Sequence, residues 1–275
     1  FKMKIVPNLL LCLLISYASM AQDSVSIYSI TDQLGSSSSS RAIYKGVFLA
    51  NLNYNYSEME IPGFGSKYNS WNHGPGLNLG YGISKRVDVR IGTGYSFLKY
   101  SNKSFHTTET GTKNFWTGIL VGSRLNLFSQ KKWRPELAFS ANVFISNNTK
   151  VLTYEHLDLV LAWSYKLGDK FRLAGNFGWN ETSSKFRSDG FFDPFYYTLN
   201  ARYEWGKGIG FFADFYLPKS LENYHPTPSV GGYYRLNPNM QFHVRYRQFV
   251  DFNNQEYLPQ FYTIGGGFSW LIGNN

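Results

Sequence analysis

The chain has no apolar run of about 18 residues or more, so it offers no helix built to cross a bilayer. Charge is also scarce, with Asp, Glu, Lys and Arg together at 16%. The arginines stand singly and form no basic cluster, which argues against a nucleic-acid surface despite a formal net charge of +9. Cysteine is nearly absent: Cys12 is the only one. It lies in the short apolar run 9–15, after Lys2 and Lys4 and before Ser19-Met20-Ala21. That layout predicts a secretory signal over residues 1–21, cleaved after Ala21. Leu11 is too bulky for the position before a lipidated cysteine. Cleavage leaves a chain without cysteine, which excludes disulfides, thiolate catalysis and thiolate metal sites.

What the chain has instead is aromatic residues, at 19%, and 26 glycines. Residues 87–97 show how they are used. Val87, Val89, Ile91, Thr93, Tyr95 and Phe97 occupy one parity; Asp88, Arg90, Gly92, Gly94 and Ser96 occupy the other. Side chains alternate across a strand, so one face is apolar and the other polar or small. The same alternation recurs along the chain. It predicts strands near 47–56, 74–83, 87–97, 115–127, 133–145, 154–167, 171–179, 195–205, 209–217, 228–236, 240–248 and 262–270.

The connections alternate in length. Short turns are expected at 84–86, 129–132, 168–170, 206–208 and 237–239. Longer loops are expected at 57–72, 100–113, 147–153, 181–194, 219–227 and 249–258. This is the asymmetry of an outer-membrane barrel, with short periplasmic turns and longer external loops. The fold expected is therefore all-β: an antiparallel up-and-down transmembrane β-barrel of about 12 strands over residues 44–275. Residues 22–43, with five serines at 36–40, read as a flexible Ser-rich segment; a short plug or an extra strand at 24–30 is the sharper alternative.

Which face meets lipid follows from charge. The apolar parity of the assigned strands carries no Asp, Glu, Lys or Arg, whereas a lysine or arginine near the lipid midplane costs about 2–4 kcal/mol. A soluble barrel of this size would also enclose more space than side chains readily fill. Aromatics gather at the predicted strand ends: Trp133, Phe171, Trp205 and Trp270 near short turns, and Tyr56, Phe97, Phe115, Trp179 and Phe195 near long loops. Both membrane interfaces favour such side chains.

The segment Tyr262-Thr-Ile-Gly-Gly-Gly-Phe-Ser-Trp270 is similar to the aromatic C-terminal strand of bacterial outer-membrane β-barrels. From residue 44 onward the chain resembles the small porin-like and transporter-like barrels of that class. The resemblance implies a bacterial outer-membrane location, contact with outer-membrane lipid, and recognition by the barrel-assembly machinery during insertion. It does not imply one activity.

Enzymatic chemistry finds little support. Barrel lipases of this class resemble one another in a His followed two positions later by Ser-Asn. Here His73, His106, His156, His225 and His243 have Pro75, Thr108, Asp158, Thr227 and Arg245 at that spacing. His156 and Asp158 share the lumen parity and form the one pair worth noting. No histidine pair has metal-ligand spacing, and the Gly-x-Gly occurrences precede no helix. No cofactor is expected.

The polar parity instead lines a lumen. Its expected pore-lining residues are Asp88, Arg90, Arg124, Arg134, Glu136, Asp158, Arg172, Arg202, Asp214, Arg235, Arg245 and Arg247, joined by Lys166 and Glu204. Bases exceed acids, which favours anionic solutes; the competing reading is a filled barrel whose arginines pair with acids and carbonyls to hold the strands together. Trp116, Phe144, Tyr196, Phe212, Tyr216 and Tyr233 are the bulky inward residues expected to narrow it. The expectation is a monomeric, non-enzymatic passive channel or transport protein for small anionic solutes. A structural or adhesive barrel acting through its loops is the alternative, and a barrel hydrolase a weaker one.

Overall fold

The computed structural model describes residues 40–63, 66–104, 107–148, 151–180, 195–218, 227–248 and 260–273. The expected signal at 1–21, His106 and His225 lie outside them. The strands are β1 Phe48–Gly63, β2 Ser66–Gly82, β3 Val87–Lys103, β4 Thr108–Phe128, β5 Glu136–Asn148 and β6 Val151–Leu167. They continue as β7 Phe171–Asn180, β8 Phe195–Gly206, β9 Ile209–Pro218, β10 Thr227–Asn237, β11 Met240–Gln248 and β12 Gln260–Ile272. Each pairs antiparallel with its sequence neighbours, and β12 returns to β1 to close the barrel. Closure satisfies the backbone without leaving an edge, as hydrocarbon requires.

The alternation places the side chains as expected. Along β3, Val89, Ile91, Tyr95 and Phe97 are exposed, while Asp88, Gly92 and Ser96 are buried. Leu52, Leu79, Val121, Leu199, Phe211, Val244 and Ile264 continue the exposed apolar wall around the barrel. Charge reaches the outer face of β1–β3 only above Tyr56, His73 and Phe97, at Glu58, Glu60, Lys67, Lys99 and Lys103. There Tyr262 donates a 2.6 Å hydrogen bond to Glu58, its ring 6.4 Å from that of Tyr56. At the short-turn end Trp133 is 84% and Trp205 69% exposed. An apolar band with aromatic rims at both ends is the surface a bilayer selects.

Three departures have physical causes. First, much of the expected external loop sequence is strand: pairing continues to Gly63↔Ser66, Lys103↔Thr108 and Asn148↔Val151. Above the membrane both faces meet water, so the ladder persists without an apolar face to mark it. Second, β4 bulges at Gly118, whose φ is +99°. The register slips there, so Trp116 pairs with Tyr95 and Phe115 with Ser96. Trp116 thus lies on the outer wall, its indole N–H donating to Thr93 Oγ1, and does not fill the lumen as expected. Phe115 moves to the inner row. A bulge inserts one residue and re-aims everything beyond it. Third, β5 begins only at Glu136, so Arg134 is an exposed turn residue. Its guanidinium lies 5.2 Å over the Phe128 ring and donates to the Ser129 carbonyl, and it does not line a pore.

Inside, glycines make room for aromatics on neighbouring strands. A Cβ on Gly210 would lie 2.1 Å from the Tyr233 hydroxyl, and one on Gly231 would lie 2.3 Å from Phe212. Phe212 and Tyr233 pack together, 3% and 4% exposed.

Candidate functional site

The lumen is built from one inward row per strand, and its two ends differ. At the short-turn end the filling includes the chain's own N-terminal segment. Ser40–Ile43 do not run free, which corrects the flexible reading of 22–43 at these four residues; 22–39 lie outside the described residues. Ser40, Ala42 and Ile43 are buried, at 2%, 0% and 0% exposed.

One side of this strap is apolar. Ile43 packs with Val47, Leu49 and Leu271 beneath β1 and β12. Fully burying each such side chain contributes about 1.5–3 kcal/mol. Gly82 permits the approach: a Cβ there would lie 1.7 Å from the Tyr44 carbonyl oxygen. The backbone is stitched to β2 by Gly46 N–H donating to Gly82 O (2.8 Å) and Gly82 N–H donating to Val47 O (3.1 Å).

The other side is polar. The Ile43 N–H donates to Asp88 Oδ2 (2.8 Å), and Arg90 grips the same carboxylate through Nε (2.8 Å) and Nη2 (3.1 Å). Asn126 donates to the Ser40 carbonyl (3.0 Å) and Arg124 to the Arg41 carbonyl (3.3 Å). Arg41 meets Glu136 at 2.7 Å, and Arg172 lies 3.8 Å from the other Glu136 oxygen. The Ser40 hydroxyl donates to Ser164 (2.7 Å), which donates to Glu136 (3.2 Å). The strap therefore reaches residues of β3, β4, β5 and β6 across the interior. Charge-assisted bonds of this kind are the stronger ones, and a buried charge needs them. Asn200, Arg202 and Asp214 continue the same dense filling, at 0%, 4% and 0% exposed.

The loop end is emptier. One cavity of about 270 Å³ is lined by Asn53, Asn55, Asn72, Asn78 and Ser96, among others. A second, of about 320 Å³, is lined by Leu120, Asn142, Phe144, His156, Asp158, Asn180, Tyr196, Tyr216 and Arg247. Asp158 accepts from the Tyr196 hydroxyl (3.0 Å) and from Asn142 (3.4 Å). Arg245 donates to Asn55 (3.2 Å).

Of the expected pore-lining set, the strap brings together Asp88, Arg90, Arg124, Glu136 and Arg172. Arg202 and Asp214 are buried nearby, and Arg235 pairs with Glu204 close to the short turns. Asp158, Arg245 and Arg247 belong to the loop end. Arg134 lies outside, and Lys166 pairs with Asp169 at the turn after β6, at 3.3 Å. His156 stacks on Phe144 with ring centroids 5.2 Å apart and shares the second cavity with Asp158. His73 sits on the outer wall, 2.6 Å from the Tyr54 hydroxyl and stacked on Phe97. Sequence reasoning missed Ser40 and Arg41, because a serine run has the composition of a linker. Ser140 and Ser164, small hydroxyls on the lumen parity, were the available signal for a tight polar seam. Among the described residues no group of three His, Cys, Asp or Glu gathers to hold a metal.

Compared with solved structures, the chain is similar to an outer membrane channel from Pseudomonas putida F1, with a TM-score of 0.59 at 14% identity over 84% of this chain and 97% of that one. It is also similar to the translocator domain of the autotransporter NalP from Neisseria meningitidis, with a TM-score of 0.55 at 8% identity over 89% and 92%. Identities this low establish fold alone, and the fold is that of a bacterial outer-membrane β-barrel. No family model and no curated protein matches the sequence.

Proposed function

We propose that this chain is a passive outer-membrane channel of low throughput, with a mild preference for anions. The observation that carries the reading is the nature of the closure. The wall is a sealed barrel, and what crosses its periplasmic end is a segment held by hydrogen bonds and ion pairs, with cavities above it. A segment so held can be withdrawn without breaking the sheet.

The anion preference rests on the inward bases. Arg41 joins Arg90, Arg124, Arg172, Arg202, Arg235, Arg245 and Arg247, against Asp88, Glu136, Asp158, Glu204 and Asp214. Several of these arginines bind carboxylates directly, which mutes their field and argues for a bias rather than strict selection.

Planar-bilayer recording under a salt gradient tests both parts. Purified protein carries an ion current whose reversal potential lies on the anion side, and Arg245→Glu with Arg247→Glu moves it toward cations. Absence of current and of solute uptake into liposomes defeats the channel reading. That outcome favours a structural barrel acting through its loops, for which the cross-linked periplasmic end is the supporting observation.

A further inference from the structure

The loop-end cavity around Asp158 has a composition that the general lumen does not share. Its lining combines aromatic rings with planar polar groups. Phe144 and His156 stack on one side, 5.2 Å apart. Tyr196 and Tyr216 present a second pair of rings, with centroids 5.6 Å apart and tilted by 36°. Asp158, Asn142, Asn180 and Arg247 supply the polar part of the same lining, and Leu120 completes it. Asp158 is fixed in orientation by the Tyr196 hydroxyl at 3.0 Å and Asn142 at 3.4 Å. The volume, about 320 Å³, is at the small end of ligand-binding cavities.

We infer that this cavity is a binding site for a small neutral polyhydroxylated solute of the monosaccharide class. Two features select that chemistry. A sugar ring has C–H faces that cover aromatic rings and hydroxyl edges that both donate and accept. The cavity offers rings for the faces, a carboxylate that accepts, a guanidinium that donates, and an amide that does both. A bare anion meets Asp158 and a bare cation meets Arg247, so neither net charge is favoured. A purely apolar solute would strip water from these polar groups without replacing their hydrogen bonds. The site deepens the channel reading, because a weak station above the constriction would concentrate the solute that passes.

Saturation-transfer NMR on the detergent-solubilised full-length mature protein, with glucose as probe and benzoate and toluene as comparisons, tests the site without any current. Glucose binds saturably, and neither comparison displaces it. Tyr196→Ala combined with Tyr216→Ala weakens binding at least tenfold. Tyr196→Phe keeps the ring and removes the hydrogen bond to Asp158, so it costs less than the double variant; it also serves if the double variant fails to fold. His73→Ala, on the outer wall, leaves binding unchanged. No saturable glucose binding, equal binding by the double variant and the parent, or displacement by benzoate overturns the site. Protein that conducts but binds no glucose keeps the channel and loses this inference; protein that binds glucose but passes no current does the reverse.

Discussion

At the short-turn end Asp88 and Glu136 are 0% and 2% exposed, and each holds part of the N-terminal strap. At the loop end Asp158 faces a cavity of about 320 Å³ and accepts from Asn142 on β5 and from Tyr196 on β8, both on the barrel wall. These carboxylates sit on the same inward parity of the same barrel. What separates them is whether a further length of chain lies against them. Small inward residues decide where that chain fits: Gly80 and Gly82 leave room beneath β1 and β2, and Ala138, Val160 and Ala162 are small enough to be buried close by. Alternation sets which way a residue points, while side-chain size sets whether the space inside is full.

The sharpest contrast is thermodynamic. Glu136→Ala leaves Arg41 and Arg172 without their carboxylate, and removing one partner of a buried pair costs about 3 kcal/mol or more. Asp158→Ala removes two hydrogen bonds beside a cavity that leaves room for water to replace them, and costs less, about 0.5–1.5 kcal/mol per bond. Urea unfolding in detergent measures both, and equal losses would erase the distinction between the two ends.

Backbone crowding gives a second, smaller contrast. Gly82→Ala drives a Cβ into the Tyr44 backbone, and overpacking of this kind costs about 1–3 kcal/mol. A Cβ on Gly76 at the loop end would meet Asn53 Oδ1 at 2.5 Å, and that side-chain tip can turn away. Gly76→Ala therefore shifts the same unfolding midpoint by less, and the reverse order would mean that the strap does not press on β2.

A third test reads access. Cleavage of the expected signal removes Cys12, so single cysteines can be introduced without background. Ser40→Cys reacts with a membrane-impermeant thiol reagent more slowly than Asn142→Cys does, by about tenfold, the factor that 1.4 kcal/mol of opening free energy gives. Equal rates would place the strap in open water.

The barrel was legible because the bilayer checks every second residue: one arginine at Val89 or Val244 would have broken the pattern. Its extent was not, since above Tyr56 and Phe97 the chain pairs in water and needs no apolar face. The bulge at Gly118 was hidden because Gly-rich strands are common here, and φ at one glycine leaves no compositional trace. Of the site, Asp88, Arg124 and Glu136 lie on the inner row, where pairing of charges across the lumen could be anticipated, but the N-terminal strap as their partner was not visible. That role depends on Ser40–Ile43 lying inside the barrel, a contact between residues up to 124 positions apart, as for Ser40 and Ser164.

The most direct test of the strapped lumen is the single-channel conductance of the mature chain beside one lacking residues 22–43. The strapped lumen predicts a small but measurable conductance for the first and a several-fold larger one for the second, with the barrel still folded. Identical conductance in the two, with both folded, would contradict it.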